Sequence, residues 1–345
     1  MPPISIIVAG RNEERYVGGC LRSLLQLDYD PQLTELIFVD DHSTDGTRAL
    51  AEGLAVESGG RLRVLSAPPC PAGMGPKKNA IAFGVAQAKG ELLLFTDADC
   101  LVKPGWATCA VSSYRQKTGA ATGPVLPPVE AGFVNRLLRL ERILISYTSA
   151  SAIGWGSPAS ASGGNFSYRR AAFDSVGGIA HAQVASGDDD LMAQAIARHG
   201  WQVGYARGAE SVVEHLRRPT MGQQVNATIR HQSTTRYYPL HWRLIYILSI
   251  LSTLGLLAVL AATVFVPELL GFLLAAMTGR LLIEGIAVRA FCRCYEIRLS
   301  TLEFLTAEIC LPVYLLIRAV LSLFPSFSWQ ARTHRTTTAP TTGAV

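Results

Sequence analysis

Apolar positions along this chain follow two short periods before giving way to long uncharged runs. Ile4 to Val8, "ELIFV" at 35–39, "RLRVLS" at 61–66 and "ELLLF" at 91–95 are short apolar stretches bounded by turn-forming residues, the signature of buried strands. Between them the period lengthens to that of a helix. "EERYVGGCLRSLLQL" places Val17, Leu21, Leu24 and Leu25 on one face, a helix from about Thr47 turns Ala49, Leu50 and Leu54 inward, and "KKNAIAFGVAQAKG" makes a third. This alternation predicts a mostly parallel sheet with helices on both faces. Further on, "TGPVLPP" reads as a strand and turn, "GFVNRLLRLERILISYTSA" as a long amphipathic helix and "SASGGNFSYRR" as a Gly/Ser-rich loop. "SGDDDLMAQAIARHG" begins a helix with acids in its first turn, and "WQVGYA" is another strand.

After Pro239 the character changes. Residues 244–266 are 23 consecutive residues without a charge, long enough to cross a hydrocarbon layer of roughly 30 Å as a helix. A second apolar segment, about 269–291, contains Arg280 and Glu284, four apart and able to pair on one helical face. A third, 302–324, holds Glu303, Glu308, Pro312 and Arg318 and is expected either to span or to lie in the interface. The link between the first two segments is "PE", whereas Arg289, Arg293 and Arg298 follow the second, so the pair reads as a hairpin entered from the cytoplasmic side. The expected division is a cytoplasmic domain at 1–238, a membrane region at 239–326 and a disordered polar tail at 327–345.

Composition sharpens this picture. The chain has 345 residues, 49% of them hydrophobic and 17% charged, and its net charge of +5 concentrates near the apolar segments, where it suits anionic lipid headgroups. No interleaved basic and aromatic stripe points to nucleic acid. "MPPISIIVAGRNEE" has neither the basic start nor the long apolar run of a secretory signal. The seven cysteines show no metal-type CxxC spacing and are expected to be reduced, inert thiols. These readings place a multi-pass protein in the inner membrane, its first domain on the cytoplasmic side.

The chemistry begins where "ELLLF" runs into "TDADC". In an extended chain residues two apart share a side, so Asp97 and Asp99 converge just past the strand end. Paired carboxylates at such a place suit a hard divalent cation that fills its other positions with water and phosphate; the plain alternative is a solvated turn. Asp40 and Asp41 end another strand, and ligands of such sheets gather at the strands' carboxyl ends, so both acid pairs can line one crevice.

Taken in order, "SIIVAGRNEERYVGGCLRSLLQLDY", "ELIFVDDHSTDGT", "PKKNAIAFGVAQAKGELLLFTDADC", "GGNFSYRRAAFDSVGG" and "GDDDL" resemble the inverting, family 2 nucleotide-sugar glycosyltransferases over roughly residues 4–240. The resemblance implies the GT-A fold, a Rossmann-like mixed α/β sheet of nucleotide-diphospho-sugar transferases, here followed by a C-terminal transmembrane helical region. It implies that Asp41 contacts the base of a UDP-sugar, that Ala9 and Glu13 line the nucleoside, and that Asp40 either joins them or shapes the turn. Asn12 is expected to form a turn. Lys77 and Lys78 stand before a helix, either reaching the diphosphate as point charges or remaining solvated. Asp97 and Asp99 match the metal–diphosphate motif, with Asp99 the more direct ligand of Mg²⁺ or Mn²⁺. "GDDDL" matches the catalytic acid, assigned to Asp189 with Asp188 in reserve. Asn165, in "SGGNF", is expected to bond donor sugar or acceptor, and Gly164 replaces the first Asn of the family's Gly-Asn-Asn segment.

Processive members of the family carry Gln-x-x-Arg-Trp near the membrane boundary. Here "RHQSTTRYYP" places Gln232 one residue too far from Arg236, with Tyr237 for Trp. Transfer of one sugar to a lipid-linked hydroxyl is therefore the expected function. The alternatives are a small polysaccharide synthase and a non-catalytic nucleotide-sugar-binding scaffold.

Overall fold

The structure, a computed structural model, describes residues 1–71, 74–130, 132–178, 189–217, 235, 237–321, 326–329 and 332–335. Its centre is a seven-stranded sheet built from β1 (Ile4–Gly10), β2 (Thr34–Asp40), β3 (Leu62–Ser66), β4 (Leu92–Phe95), β6 (Thr118–Thr122), β8 (Phe166–Arg169) and β9 (Gln202–Tyr205), in the order β3-β2-β1-β4-β8-β6-β9. The strands β1 to β4 run parallel; β8 is antiparallel to β4 and β6, and β9 is parallel to β6. A second sheet of short strands joins β5 (Cys100–Leu101), β10 (Val213–His215) and β7 (Val125–Leu126). The result is the mixed α/β sheet that the strand-helix alternation predicts.

Side chains alternate across the sheet with a period of two. Ile4, Ile6 and Val8 pack with Leu36, Phe38, Leu92 and Leu94 into one core, covered by α1 (Val17–Leu25), α2 (Thr47–Glu57) and α4 (Trp106–Ser112). Ile7, Leu93 and Phe95 face the other way, against α3 (Pro76–Gln87), α6 (Arg170–Ser175) and α7 (Asp190–Arg198). Both faces of the central strands are thus buried, which is why they read as continuous apolar runs. Helix α2 corrects one expectation: Ala49 and Leu50 are exposed, and the inward face is Thr47, Ala51 and Leu54. The Thr47 hydroxyl donates to Asp45 and accepts the Glu13 N–H, which turns the first helical residue inward and rotates the buried stripe with it.

The long helix α5 (Phe133–Gly154) carries the sheet over to the C-terminal helices α8 (Leu240–Ala262), α9 (Leu269–Cys294) and α10 (Thr301–Leu321). Leu126, Leu140 and Ile143 pack with Val288, Phe291, Tyr295 and Phe304 in one apolar cluster. Two helices, α8 and α9, are long and apolar enough to cross a membrane, with mean hydropathies of 2.4 and 1.7. Arg280 and Glu284 pair at 3.0 Å, as their spacing predicts, and Glu308 of α10 joins them at 3.5 Å. On α10, Leu302, Leu305, Ile309, Val313 and Ile317 stand exposed at helical spacing, so this helix presents an apolar stripe outward. In the tail, where disorder is expected, Ser326–Trp329 and Arg332–Arg335 pair as antiparallel strands. The alternating hydroxyl, aromatic and basic residues of both stretches suit such a pair.

Asn165 holds the two sheets together. Buried to 3%, it accepts from Trp106 Nε1 at 2.9 Å and donates to the carbonyls of Pro124 at 3.0 Å and Ser211 at 2.7 Å. Changing Asn165→Ala strands one donor and two acceptors in a dry interior, so unfolding measured with denaturant should show a loss of about 2–4 kcal/mol.

Candidate functional site

Strands β1, β2 and β4 all deliver their carboxyl ends to one edge of the sheet, and the acids stand on that edge. Asp40 closes β2 opposite Gly10 of β1, and Asp41 donates its N–H to the Gly10 carbonyl at 2.9 Å. Since β1 lies between β2 and β4, the strand ends that carry the Asp40–Asp41 and Asp97–Asp99 pairs stand about 10 Å apart, two strand spacings. Asp40 is buried and accepts the Ser43 N–H at 3.4 and 3.3 Å, which makes it a turn former in this structure. Asp41 is also buried; desolvation raises its pKa, with Arg11 and His42 opposing. Asn12 adopts a left-handed φ of 53° and accepts from Thr44 N at 2.8 Å, the turn expected of it. Ala9 sits one residue before the end of β1, half-buried.

The DxD acids part company. Asp97 Oδ1 takes Lys77 Nζ at 2.7 Å. Asp99 turns to a residue that was not anticipated: Arg217 bonds Asp99 Oδ2 through Nε at 2.8 Å and reaches Glu13 through its other nitrogen. His215 Nδ1 lies 3.6 Å from Asp99 Oδ1. Burial alone would push the Asp99 carboxyl up, but His215 and Arg217 hold it well below the usual carboxylate range. Burial raises Glu13 to about 7, against the pull of Arg217 and with the help of Asp99. The His215 imidazole is drawn down by burial, yet the Cys100 sulfur and Asp99 outweigh this and raise it well above its ordinary value. Lys78 is buried, only 2% exposed, so of the two lysines it is Lys77 that meets the DxD acids.

Two adjacent glycines bring the remaining parts together. A Cβ placed on Gly163 would stand 3.2 Å from Asp189 Oδ2 and 3.6 Å from Lys77 Nζ; one on Gly164 would stand 3.2 Å from Cys100 Sγ and 3.4 Å from Asp97 Oδ2. Lys77, the Asp97–Cys100 turn and Asp189, from three separate segments, therefore crowd the backbone at Gly163 and Gly164, where a side chain would force its neighbours to give by a few tenths of an ångström. Asp189 caps α7, accepting from Asp190 N and Gly163 N at 2.8 Å each. Asp190 is structural: its Oδ1 accepts from Ala161 N at 2.7 Å and its Oδ2 from the Tyr238 hydroxyl at 2.5 Å. Asp188, Gln232 and Arg236 lie outside the described residues. Asn165, expected to face a ligand, instead spends its amide on Trp106, Pro124 and Ser211.

Asp97, Cys100 and His215 offer ligand atoms that all lie within 4.8 Å of one another. With Asp99 beside His215, the oxygen and nitrogen donors fit a divalent cation. His215 and Arg217 escaped the sequence reading because they are more than a hundred residues from the DxD pair. The available signal was "VEHLRR", a strand end that puts a histidine and an arginine two apart on one side.

With this geometry in hand, comparison with known proteins is decisive. The pattern of the glycosyl transferase family 2 matches residues 5–177, and that of glycosyl transferase family group 2 matches residues 92–283. The chain belongs to glycosyl transferase family 2. It is 28% identical over 205 residues to a beta-monoglucosyldiacylglycerol synthase of Synechocystis sp., covering 59% of this chain and 42% of that one. It is 26% identical over 183 residues to the probable glycosyltransferase YdaM of Bacillus subtilis, covering 52% and 43%. The chain thus spans about two fifths of these relatives' length. A mannosyltransferase from Pyrobaculum calidifontis, solved with GDP-Man and Mn²⁺, superposes with a TM-score of 0.58 over 94% of this chain and 87% of that one, at 19% identity. That likeness bears out the GT-A fold expected from the motifs.

Arg217 separates two acids that would otherwise face each other half-dry. Arg217→Ala should lower stability by about 1–3 kcal/mol, less than for a fully buried pair because the guanidinium is a third exposed. Thermal melts should show part of that loss recovered by added Mn²⁺, whose charge replaces the guanidinium beside Asp99.

Proposed function

We propose that this chain is a membrane-bound, inverting glycosyltransferase that moves a hexose from a nucleotide-diphosphate sugar, a UDP-hexose, to a hydroxyl of a lipid-linked acceptor. The observation that carries this is the meeting of Lys77, Asp97 and Asp189 over Gly163 and Gly164, with Asp41 at a strand end about 10 Å along the same sheet edge. That span suits a nucleoside diphosphate, its base at Asp41 and its phosphates at Lys77. Asp97, Asp99 and His215 would hold a divalent cation, which when bound neutralises the charge on the departing diphosphate.

The chain's own groups do the rest. Glu13 and Ala9 border the nucleoside, and Lys77 places a positive charge where the bridging oxygen leaves. Asp189, fixed by two backbone N–H groups, takes the proton of the acceptor hydroxyl as its oxygen bonds the anomeric carbon and the carbon–phosphate-oxygen bond breaks. One carboxylate serves as base, and no glycosyl-enzyme intermediate is required. The Pyrobaculum protein was solved with a sugar nucleotide and Mn²⁺, which supports a nucleotide-sugar donor, and the Synechocystis relative is a synthase of a glycolipid, which supports a lipid acceptor.

Helices α8 and α9 are proposed to cross the inner membrane as a hairpin, with residues 1–238 on the cytoplasmic face and α10 laying its apolar stripe against lipid.

Two outcomes test this reading. In membranes supplied with a panel of nucleotide sugars, nucleotide release should cease with EDTA and return with Mn²⁺ or Mg²⁺. Asp189→Asn should cut release by about 10²–10⁴-fold while leaving the UDP dissociation constant within a few-fold of wild type; release at the wild-type rate would remove Asp189 as base. The second outcome concerns the bilayer: the protein should stay in the membrane pellet through alkaline carbonate, and a labelled donor should yield a single-sugar lipid product. A ladder of products would mean a processive synthase.

A further inference from the structure

The residue after the DxD motif changes what kind of cation this cleft can hold. Cys100 is wholly buried, yet its Sγ lies 3.7 Å from His215 Nδ1. Its sulfur and Asp97 Oδ2 both border Gly164, the side of the carboxylate turned away from Lys77, which occupies Oδ1. Three donors, one oxygen, one nitrogen and one sulfur, therefore converge from two segments of the fold, the turn after β4 and the end of β10. In a tetrahedral zinc site, sulfur and nitrogen ligands stand about 3.5 Å apart, and a set of three protein ligands leaves the fourth position open to water or phosphate.

We propose that Asp97, Cys100 and His215 form a binding site for a thiophilic divalent cation, Zn²⁺ or Cd²⁺. Mg²⁺ and Mn²⁺ prefer oxygen and draw on the carboxylates and a diphosphate; a thiolate instead selects borderline and soft ions. On binding, the thiol proton passes to solvent and a metal–sulfur bond forms, with no change of oxidation state. Asp99 Oδ1 lies 3.6 Å from the same Nδ1, so it borders the site as a further oxygen on the ligating side of the imidazole. Gly164 matters as much as the ligands, because a methyl there would press on the sulfur at 3.2 Å. Since Asp97 and His215 would serve both kinds of ion, Zn²⁺ displaces the hard cation and arrests transfer. The site stands on its own donor atoms and extends beyond the transferase reading.

The test needs no turnover. Full-length protein in detergent, with the exposed thiols removed by Cys70→Ser and Cys294→Ser, is titrated with Co²⁺ and the near-ultraviolet spectrum recorded. A thiolate-to-cobalt charge-transfer band should grow in, and Zn²⁺ should abolish it by competition. Adding Cys100→Ser should remove the band and weaken Zn²⁺ binding by about tenfold or more, while Mn²⁺ affinity, read by paramagnetic resonance, stays within about twofold. Gly164→Ala, which leaves every ligand residue in place but crowds the sulfur, should weaken Zn²⁺ in the same direction. No band in the background protein overturns the proposal without recourse to any variant; so does a band, or an equal Zn²⁺ affinity, in Cys100→Ser. A protein that shows the band but releases no UDP refutes the transferase reading alone.

Discussion

Too many carboxylates share one edge of one sheet, and the arrangement of cations around them governs this protein. Glu13, Asp40, Asp41, Asp97, Asp99 and Asp189 all lie at or beside the carboxyl ends of the parallel strands. Glu13, Asp40 and Asp41 are buried there, and unpaired buried carboxylates cost several kcal/mol each or take up a proton. The fold meets this with Lys77 on Asp97, Arg217 between Glu13 and Asp99, His215 beside Asp99, and backbone N–H groups on Asp40 and Asp189. These are separate devices from separate segments. Together they set three cationic side chains, Lys77, Arg217 and His215, among these six carboxylates, a surplus of negative charge that suits an added cation.

The sheet alone does not complete the cleft; the C-terminal helices reach back into it. Tyr238, two residues before α8, bonds Asp190, the neighbour of the proposed base, and burial together with Asp190 raises its phenol pKa well above the ordinary value. Trp242 Nε1 donates to Ser157 at 3.1 Å, and Gln194 of α7 donates to the Ala159 carbonyl at 3.0 Å, so the loop before the two glycines is tied to both α7 and α8. A shift of the first apolar helix would therefore be felt at Asp189. Tyr295 does the same at the far end of α9 by donating to the Ala206 carbonyl at 3.0 Å. In physical terms the apolar helices are part of the scaffold of the site, and the proposed lipid acceptor would approach along elements rigidly joined to the base.

Much of this was legible from local pattern. Continuous apolar runs found the strands because both sheet faces are packed, and the DxD pair stood out because two carboxylates follow directly on four buried apolar residues. Where reading failed, a side-chain contact from elsewhere had intervened. Helix α2 is rotated by the Thr47 hydroxyl bond to Asp45 and the N–H of Glu13, which no hydrophobic pattern records. Asn165 sits beside glycines that look like a ligand loop, yet Trp106 and two carbonyls claim its amide. The cysteines looked inert by spacing, while the fold sets Cys100 against a histidine 115 residues away.

By itself the sequence determined the strand and helix periods, the acids at strand ends, the uncharged runs long enough to span a bilayer, and the motif order of the family. These are properties of neighbouring residues, and backbone geometry acts on neighbours. Only the tertiary structure decided which acid meets Lys77 and which meets Arg217, that Gly163 and Gly164 admit three other segments, and that a thiol and an imidazole join the acids. Those pairings depend on close approach between distant segments, where a single Cβ or one buried hydrogen bond selects the partner.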